Sequence, residues 1–535
     1  MKLLVTDPIS KEGLEMLRRD SDVQVDVRPD LTHEQLLEVI KDYDGIIIRS
    51  GTTVSADVID AGTKLKVIGR AGVGVDNVDV KHATRKGILV MNTPAANIIS
   101  AAEHTMAMML TLARKIVWAD ASLKARRWER SKFTGIELSG KTLGIIGIGR
   151  VGGEVAKRAK AFQMRLVGYD PYISPEQAIK VGVRLLPFER VFEEADIVTV
   201  HSPLTSSTHH LIGAKELALL RPGALVINCA RGGIIDEGAL YDALKEGRLG
   251  GAALDVFEEE PPFSSKLLDL DNVVVTPHLG ASTKEAQEKV SIEMAEHVKL
   301  FLKERRITNA VNAPRERVDP KVASFIPIAE KLGSFALQLL DGPLRRVRVT
   351  CCGELAQKET KILTVSALIG VLSHITGEST NIINAEAIAR EKGVQVVESK
   401  VDESARYVNM ISVSLQSDGV AREVRGTAFP SAEPRLLGVD EFDIDMPLEG
   451  DFIMTIHDDV PGVIGSVGNI LGSRNINIAR MGVGRKTRGE TALMVVSVDD
   501  PVPEEVLDEI RSKGEFREVR FIKLRDIEPK EYLLG

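Results

Sequence analysis

The stretch LGIIGIGRVGGEVAKRAKAF (143–162) narrows the fold of this chain more than any other. An apolar run of strand character meets Gly147, Gly149 and Gly152 in G-x-G-x-x-G spacing, and a helical pattern follows at once. Each glycine has its own reason. Gly147 permits a tight turn, Gly149 lets a pyrophosphate approach bare backbone, and Gly152 lets the helix pack close to the strand. The free N–H groups at the helix start carry partial positive charge, which suits a phosphate. A second strand pattern, RLVGYD, ends at Asp170, 18 residues after Gly152. A carboxylate there accepts hydrogen bonds from adenosine ribose hydroxyls and repels a 2′-phosphate, so NAD is expected rather than NADP. In GRAGVGVDN, by contrast, Gly69, Gly72 and Gly74 have the wrong spacing, and no acid follows at the right distance. That stretch reads as a loop lining a cleft between two α/β layers.

The surroundings extend this pattern. From 140 to about 280, apolar runs end at Gly147, Asp170, Ser202, Ala230, Phe257 and Pro277. Their spacing of about 20 to 30 residues fits successive βα units of a doubly wound sheet. Upstream, KLLVTD, VQVDV, GIIIRS, LKVIGRAG and ILVMN read as short parallel strands buried on both faces, with helices between them. NIISAAEHTMAMMLTLAR (97–114) reads as a helix packed in a core or against another subunit. After NAPRERVDP the composition turns polar, and strands such as RRVRVTCCG, VQVVESK and YVNMISVSL mark a mixed α/β region. The last unit, from DFIMTIHDD to REVRFIKL, has the βαββαβ order of a ferredoxin-like fold.

Length and charge agree. A chain of 535 residues exceeds one core, so about three or four domains are expected. A net charge of −8 argues against a partner bound through a phosphate backbone, and 4% aromatics argue against stacking on single strands, so no nucleic-acid partner is expected. Two of the three cysteines, Cys351 and Cys352, are adjacent and there is no C-x-x-C, which points to a reducing, cytoplasmic setting. No run of about 18 apolar residues offers a membrane span.

In open α/β sheets, ligands sit beyond the carboxyl ends of the strands. Here those ends read VTVHSP, INCARGG, LDVFEEEPP and VVTPHLGAS. They offer His201, Arg231, Asp255, Glu258, Glu259, Glu260 and His278. These are the parts for oxidising a hydroxy acid. A guanidinium holds the carboxylate through two parallel hydrogen bonds. A histidine takes the hydroxyl proton near neutral pH, and a carboxylate behind it sets its tautomer. Residue types alone leave two histidines and three glutamates open.

CARGGIIDEGAL, LDVFEEEPP and TPHLGAS, together with GIGRVG, resemble the D-2-hydroxyacid dehydrogenases, and within them the long-form branch that acts on 3-phosphoglycerate. The resemblance covers essentially the whole chain. It implies that Arg231, Glu260 and His278 are catalytic, that His201 is structural, and that Glu258 and Glu259 are solvated. It implies cofactor contacts at Gly147, Gly149, Arg150, Val151, Gly152 and Asp170, and at Val73, Ser202, Cys229, Ala230, Asp255 and Gly280. Substrate contacts follow at Arg49, Ser50, Arg70 and Asn97, with Arg130 reaching in from a neighbouring subunit. It also implies a substrate-binding domain of 1–96 and 283–314, an NAD-binding domain of 97–282, an intervening domain of 315–449 and an amino-acid-binding ACT domain of 450–527. The first two close over the cleft and exclude water. The implied reaction is NAD-dependent oxidation of 3-phosphoglycerate, the first step toward L-serine, in a homotetramer. Two other readings share the core motifs: a glyoxylate or hydroxypyruvate reductase, and a non-catalytic NAD-sensing corepressor. Arg49, Arg70 and the C-terminal 200 or so residues weigh against both.

In the last unit, HDDVPGVIG (457–465) crowds a histidine and two aspartates at a Pro-Gly turn. No other His or Cys stands near, so no metal is expected. The resemblance implies an effector site at His457, Asp459 and Asn477, with L-serine as ligand. Asp459, an amide in some members, would face an amino group, and Gly462 would let the turn approach a ligand.

Overall fold

The computed structural model describes residues 1–19, 21–304, 306–313, 318–376, 380–402, 407–429 and 433–524. The expected boundaries at 314–315 and 527 lie outside them.

Strands β1 (Lys2–Val5), β2 (Gln24–Val27), β3 (Gly45–Ile48), β4 (Val67–Arg70) and β5 (Leu89–Asn92) form a parallel sheet in the order β2-β1-β3-β4-β5. The inner strands are buried on both faces, as their unbroken Ile/Val/Leu runs require. The edge strand β2 departs from that expectation. Its residues are exposed or half-buried, whereas β5 at the other edge is buried throughout. The 21-residue helix Lys284–Glu304, far along the chain, packs Val290, Met294 and Val298 into the core that holds Leu3 and Val5. A Cβ on Gly69 would lie 2.6 Å from the Met294 sulfur, so glycine lets this helix sit on β4.

β6 (Thr142–Ile146), β7 (Arg165–Tyr169), β8 (Arg184–Leu185), β9 (Ile197–Val200), β10 (Leu225–Asn228), β11 (Gly251–Leu254) and β12 (Val273–Val275) form a second parallel sheet. Its order is β12-β11-β10-β9-β6-β7-β8. The winding reverses between β6 and β9, where a doubly wound sheet opens its crevice. The Met-rich helix Ile98–Ala113 buries Met106, Met108, Met109 and Leu112 in this unit's core. Its outer flank and the next turns leave Ile99, Ile116, Val117, Leu123 and Trp128 exposed.

The third sheet contains β13 (Arg346–Gly353), β14 (Gln395–Val401), β15 (Asn409–Gln416), β16 (Ala421–Ala428), β17 (Pro434–Val439) and β18 (Phe442–Pro447). It is antiparallel except for the β13–β14 pair. Helices Ile326–Leu339 and Lys361–Thr376 cross in contact because Gly333 and Gly370 carry no side chain. A Cβ on either would lie 2.2 Å or less from a carbonyl of the other helix.

The last unit runs β19 (Asp451–Asp458), helix Val463–Ser473, β20 (Ile478–Arg485), β21 (Thr491–Val498), helix Glu504–Arg511 and β22 (Phe516–Ile522). The antiparallel order β20-β21-β19-β22 is ferredoxin-like. Ile453, Met494 and Val496 face its two helices, while Phe452, Met454, Leu493 and Val495 join the core shared with the third unit. Burial on both faces explains why these strands read as apolar runs rather than alternations. Among the described residues, no helix is long and apolar enough to cross a membrane.

Candidate active site

The nucleotide turn follows β6, at the point where the winding reverses. Gly147 has φ +89°, and a Cβ there would lie 2.8 Å from the Ser202 hydroxyl and 2.9 Å from the His201 carbonyl. A Cβ on Gly152 would lie 2.1 Å from the Gly147 carbonyl oxygen. The fold itself therefore demands both glycines. It does not demand Gly149, whose Cβ would meet nothing within 4 Å. Open space above a bare backbone, at the uncapped start of helix Arg150–Ala161, is what a dinucleotide pyrophosphate needs. Arg150 is exposed at that start and Val151 leans on the core. The Asp170 carboxylate accepts N–H bonds from Ile148 (2.8 Å) and Tyr172 (2.9 Å), which set it beside the turn. His201 bonds Thr199 on its own strand through Nε2 at 3.0 Å, and burial pushes its pKa down to about 4. It is a neutral structural histidine, as expected.

The ends of β10, β11 and β12 meet next to this turn. Asn228 braces the residues after β10: its side chain accepts from Ala230 N–H and donates to the Arg231 carbonyl. A Cβ on Gly232 would lie 1.8 Å from the Phe257 carbonyl oxygen, so the Arg231 loop presses directly on the segment carrying Glu260. Glu260 Oε2 lies 2.8 Å from His278 Nδ1, and Oε1 accepts from Phe257 N–H. Burial opposes ionisation of Glu260, but the bond to His278 outweighs it and holds the carboxyl below its ordinary range. Glu258 corrects the expectation that it is merely solvated. Its carboxylate bonds His210 Nε2 (3.0 Å) and Glu237 N–H (3.2 Å), tying this segment to the neighbouring loop.

Two implied cofactor contacts turn inward. The Cys229 thiol is buried, and burial together with Asp255 pushes its pKa up to about 12. Asp255 is 0% exposed. Its carboxylate accepts from Leu279 N–H (2.7 Å), Gly280 N–H (2.8 Å) and the Thr276 hydroxyl (2.5 Å), with His104 Nε2 at 3.1 Å. Only backbone at positions 229 and 255 is left to face a ligand, because a buried carboxylate must satisfy its lone pairs locally.

The opposite wall comes from the first sheet. Asp7, after β1, accepts from Arg49 N–H and Thr52 N–H and so shapes the loop after β3, where Ser50 is exposed. Arg70 ends β4. Burial, then the like charges of Arg231 and Arg49, pull its pKa down to about 10 despite Asp76 and Asp7, so it stays cationic at neutral pH. Gly72 and Gly74 make room for guanidiniums: a Cβ would lie 1.5 Å from Arg70 Nη1 or 2.2 Å from Arg231 Nη2. GRAGVGVDN is thus a cleft wall, and its glycines serve arginines rather than a nucleotide. Arg231 Nε pairs with Asp76 at 3.2 Å across the cleft. The Val73 carbonyl is held by Asn92, and Asn97 caps helix Ile98–Ala113 without using its side chain. Arg130 is exposed on the turn Arg130–Phe133 and takes part in none of these cleft contacts. Sequence reasoning missed Asp7, Asp76, Asn228, His104 and Thr276. Strand-end position marks Asp7, Asn228 and Thr276; no local signal marks the other two.

The residues implied for the effector, His457, Asp459 and Asn477, do not converge within one chain. His457 lies at the end of β19 beside Ala492 and Arg485, whereas Asn477 precedes Ile478, which lies opposite Val498 and Asp451 at the far end of the sheet. Six strand residues separate the two levels, about 20 Å. Asp459 Oδ2 already accepts from Arg485 (3.1 Å) and Gly489 N–H (2.9 Å), and Asn477 donates to Asp499 (2.6 Å).

Comparison with known proteins agrees with this architecture. Residues 106–280 match the model of the D-isomer specific 2-hydroxyacid dehydrogenase NAD-binding domain. Residues 321–440 match the D-3-phosphoglycerate dehydrogenase intervening domain, and 452–515 the ACT domain. The chain is 44% identical to D-3-phosphoglycerate dehydrogenase of Archaeoglobus fulgidus, over 98% of this chain and 100% of that one. With the protein of the same name from Methanocaldococcus jannaschii it shares 46% identity over the same fractions. A D-lactate dehydrogenase structure from Aquifex aeolicus, complexed with NAD and lactic acid, superposes with a TM-score of 0.53 at 29% identity, covering 59% of this chain and all of that one. The chain belongs to the D-3-phosphoglycerate dehydrogenase family, in the long form with intervening and ACT domains.

Proposed function

We propose that this chain oxidises 3-phosphoglycerate to 3-phosphohydroxypyruvate with NAD, the entry step to L-serine. The observation that carries this reading is three guanidiniums, Arg49, Arg70 and Arg231, gathered around one cleft, with the Glu260–His278 pair on the loops beside Arg231. Arg231 grips the substrate carboxylate in place of Asp76, and Arg49 and Arg70 supply charge for the phosphate. Glu260 accepts Nδ1–H of His278, which leaves Nε2 as the basic nitrogen for the hydroxyl proton and stabilises the imidazolium that results. Bound NAD supplies the acceptor for the hydride leaving carbon 2. The turn of Gly147, Gly149 and Gly152 would hold its pyrophosphate, and Asp170 its ribose. Closure of the lobes would dry the cleft.

The ACT unit supports L-serine as an effector. Because His457 and Asn477 lie at opposite ends of one sheet, such a site takes His457 and Asp459 from one chain and Asn477 from a second copy joined along the edge strand β20. The exposed apolar residues Ile116, Val117, Leu123 and Trp128 support a further subunit contact near Arg130. The direct test is NAD reduction with 3-phosphoglycerate, D-glycerate and D-lactate, each with and without L-serine. Strong preference for the phosphorylated acid is expected; equal turnover of D-lactate would remove the phosphate assignment.

A further inference from the structure

One largely buried network stands behind the loop that carries His278. Helix Ile98–Ala113 presents Ser100, His104 and Met108, spaced i, i+4 and i+8, to residues 276–280. Residues at this spacing share one helix face. The Ser100 hydroxyl donates to the Gly280 carbonyl at 2.8 Å, and Met108 sulfur lies 3.8 Å from the Thr276 hydroxyl. Between them, His104 Nε2 lies 3.1 Å from Asp255 Oδ1 and 3.2 Å from Thr276 Oγ1.

Donor accounting sets the tautomer. An ionised Asp255 only accepts, and the Thr276 hydroxyl spends its hydrogen on it. His104 Nε2 must therefore carry a hydrogen, shared between the carboxylate and the Thr276 oxygen. The consequence reaches His278. Its backbone is left-handed at φ +54°, a conformation that residues with a Cβ rarely adopt. Its N–H donates to the Asp255 carbonyl at 3.0 Å, and the two residues after it donate N–H groups to the Asp255 carboxylate. The strained turn that aims His278 is thus held by a carboxylate that His104 in turn holds.

We infer that His104 is a positioning residue for His278, acting through Asp255 and Thr276. The inference rests on the proposed base role of His278. Glutamine can place its amide N–H near the position of Nε2, whereas leucine cannot donate. His104→Leu is expected to lower kcat for 3-phosphoglycerate and NAD by about 10- to 100-fold, the range for lost support behind a working group. KM for both substrates should stay within about twofold, and His104→Gln should recover most of the rate. In a His278→Ala background, His104→Leu should cost nothing more, because its only route of action is gone. Thr276→Val, nearly isosteric, should show the same pattern and serves if the leucine variant does not fold. A wild-type kcat in both His104→Leu and Thr276→Val overturns the inference. So does an equal loss with or without His278, or a loss that glutamine does not restore. The substrate reading fails separately: if the wild type oxidises only another 2-hydroxy acid, the same series run on that acid still decides the role of His104. Wild-type turnover in His278→Ala would overturn the base role and this inference together.

Discussion

His278 and His457 each stand close to carboxylates, and the two places are built differently. His278 keeps 45% of its side chain exposed, its Nδ1 lies 2.8 Å from Glu260 Oε2, and in the proposed mechanism Nε2 serves as the base. His457 is 3% exposed; its Nδ1 bonds the carbonyl of Asp458, and its Nε2 is buried without a partner among the described residues. Its acidic neighbours are already paired, Asp458 with Arg517 and Asp459 with Arg485. A base needs a free nitrogen and a carboxylate that answers to it. The proposed site at His278 has both, whereas the unpartnered nitrogen of His457 is buried and its neighbouring carboxylates answer to arginines. Proximity of residue types in sequence, as in HDDVPGVIG, is therefore a weaker sign of chemistry than strand ends that meet in space.

The largest expected effect separates the two histidines directly. His278→Ala should lower kcat by about 10²- to 10⁴-fold, the usual worth of a general base, at nearly unchanged NAD binding. His457→Ala should leave turnover within about twofold. Similar losses in steady-state assays would erase the contrast. Next, Glu260→Gln removes the charge that favours imidazolium. Without that partner kcat should fall about tenfold or more, with KM for NAD nearly unchanged. A wild-type kcat in Glu260→Gln would break the pairing. A several-fold effect is expected for Asp170→Ala, which should weaken NAD relative to NADP in initial-rate titrations; unchanged preference would remove the ribose role. Smallest of all, Asp459→Asn should leave basal turnover alone and change only the L-serine concentration giving half-maximal inhibition. If that concentration does not move, Asp459 lies outside the effector site.

Much of this was legible in the residues because it is local. The spacing of Gly147, Gly149 and Gly152 encodes a turn, a clear approach and a close helix–strand contact within six positions. The short β-rich runs of the first and second sheets announced buried parallel strands, and the last unit declared its βαββαβ order. The two-residue strand β8 escaped notice because two residues carry no periodicity. The family resemblance implies a cofactor contact at Asp255, whose carboxylate here accepts from the loop after His278. Position along a strand sets the level of a side chain, but its direction depends on what it must satisfy.

The sequence by itself determined the elements and the nucleotide turn, since each is written in a short pattern with its own steric reason, while the proposed catalytic set of Arg231, Glu260 and His278 came from the family resemblance, because residue types alone left two histidines and three glutamates open. Only the tertiary structure decided which charges meet. It opposed Arg231 to Asp76 across the cleft and placed His104 against Thr276, 172 positions away. It also put His457 and Asn477 at opposite ends of one sheet. The physical reason is range: turn and helix preferences act over a few residues, whereas ion pairs and buried hydrogen bonds act over a few ångströms between segments that only folding brings together.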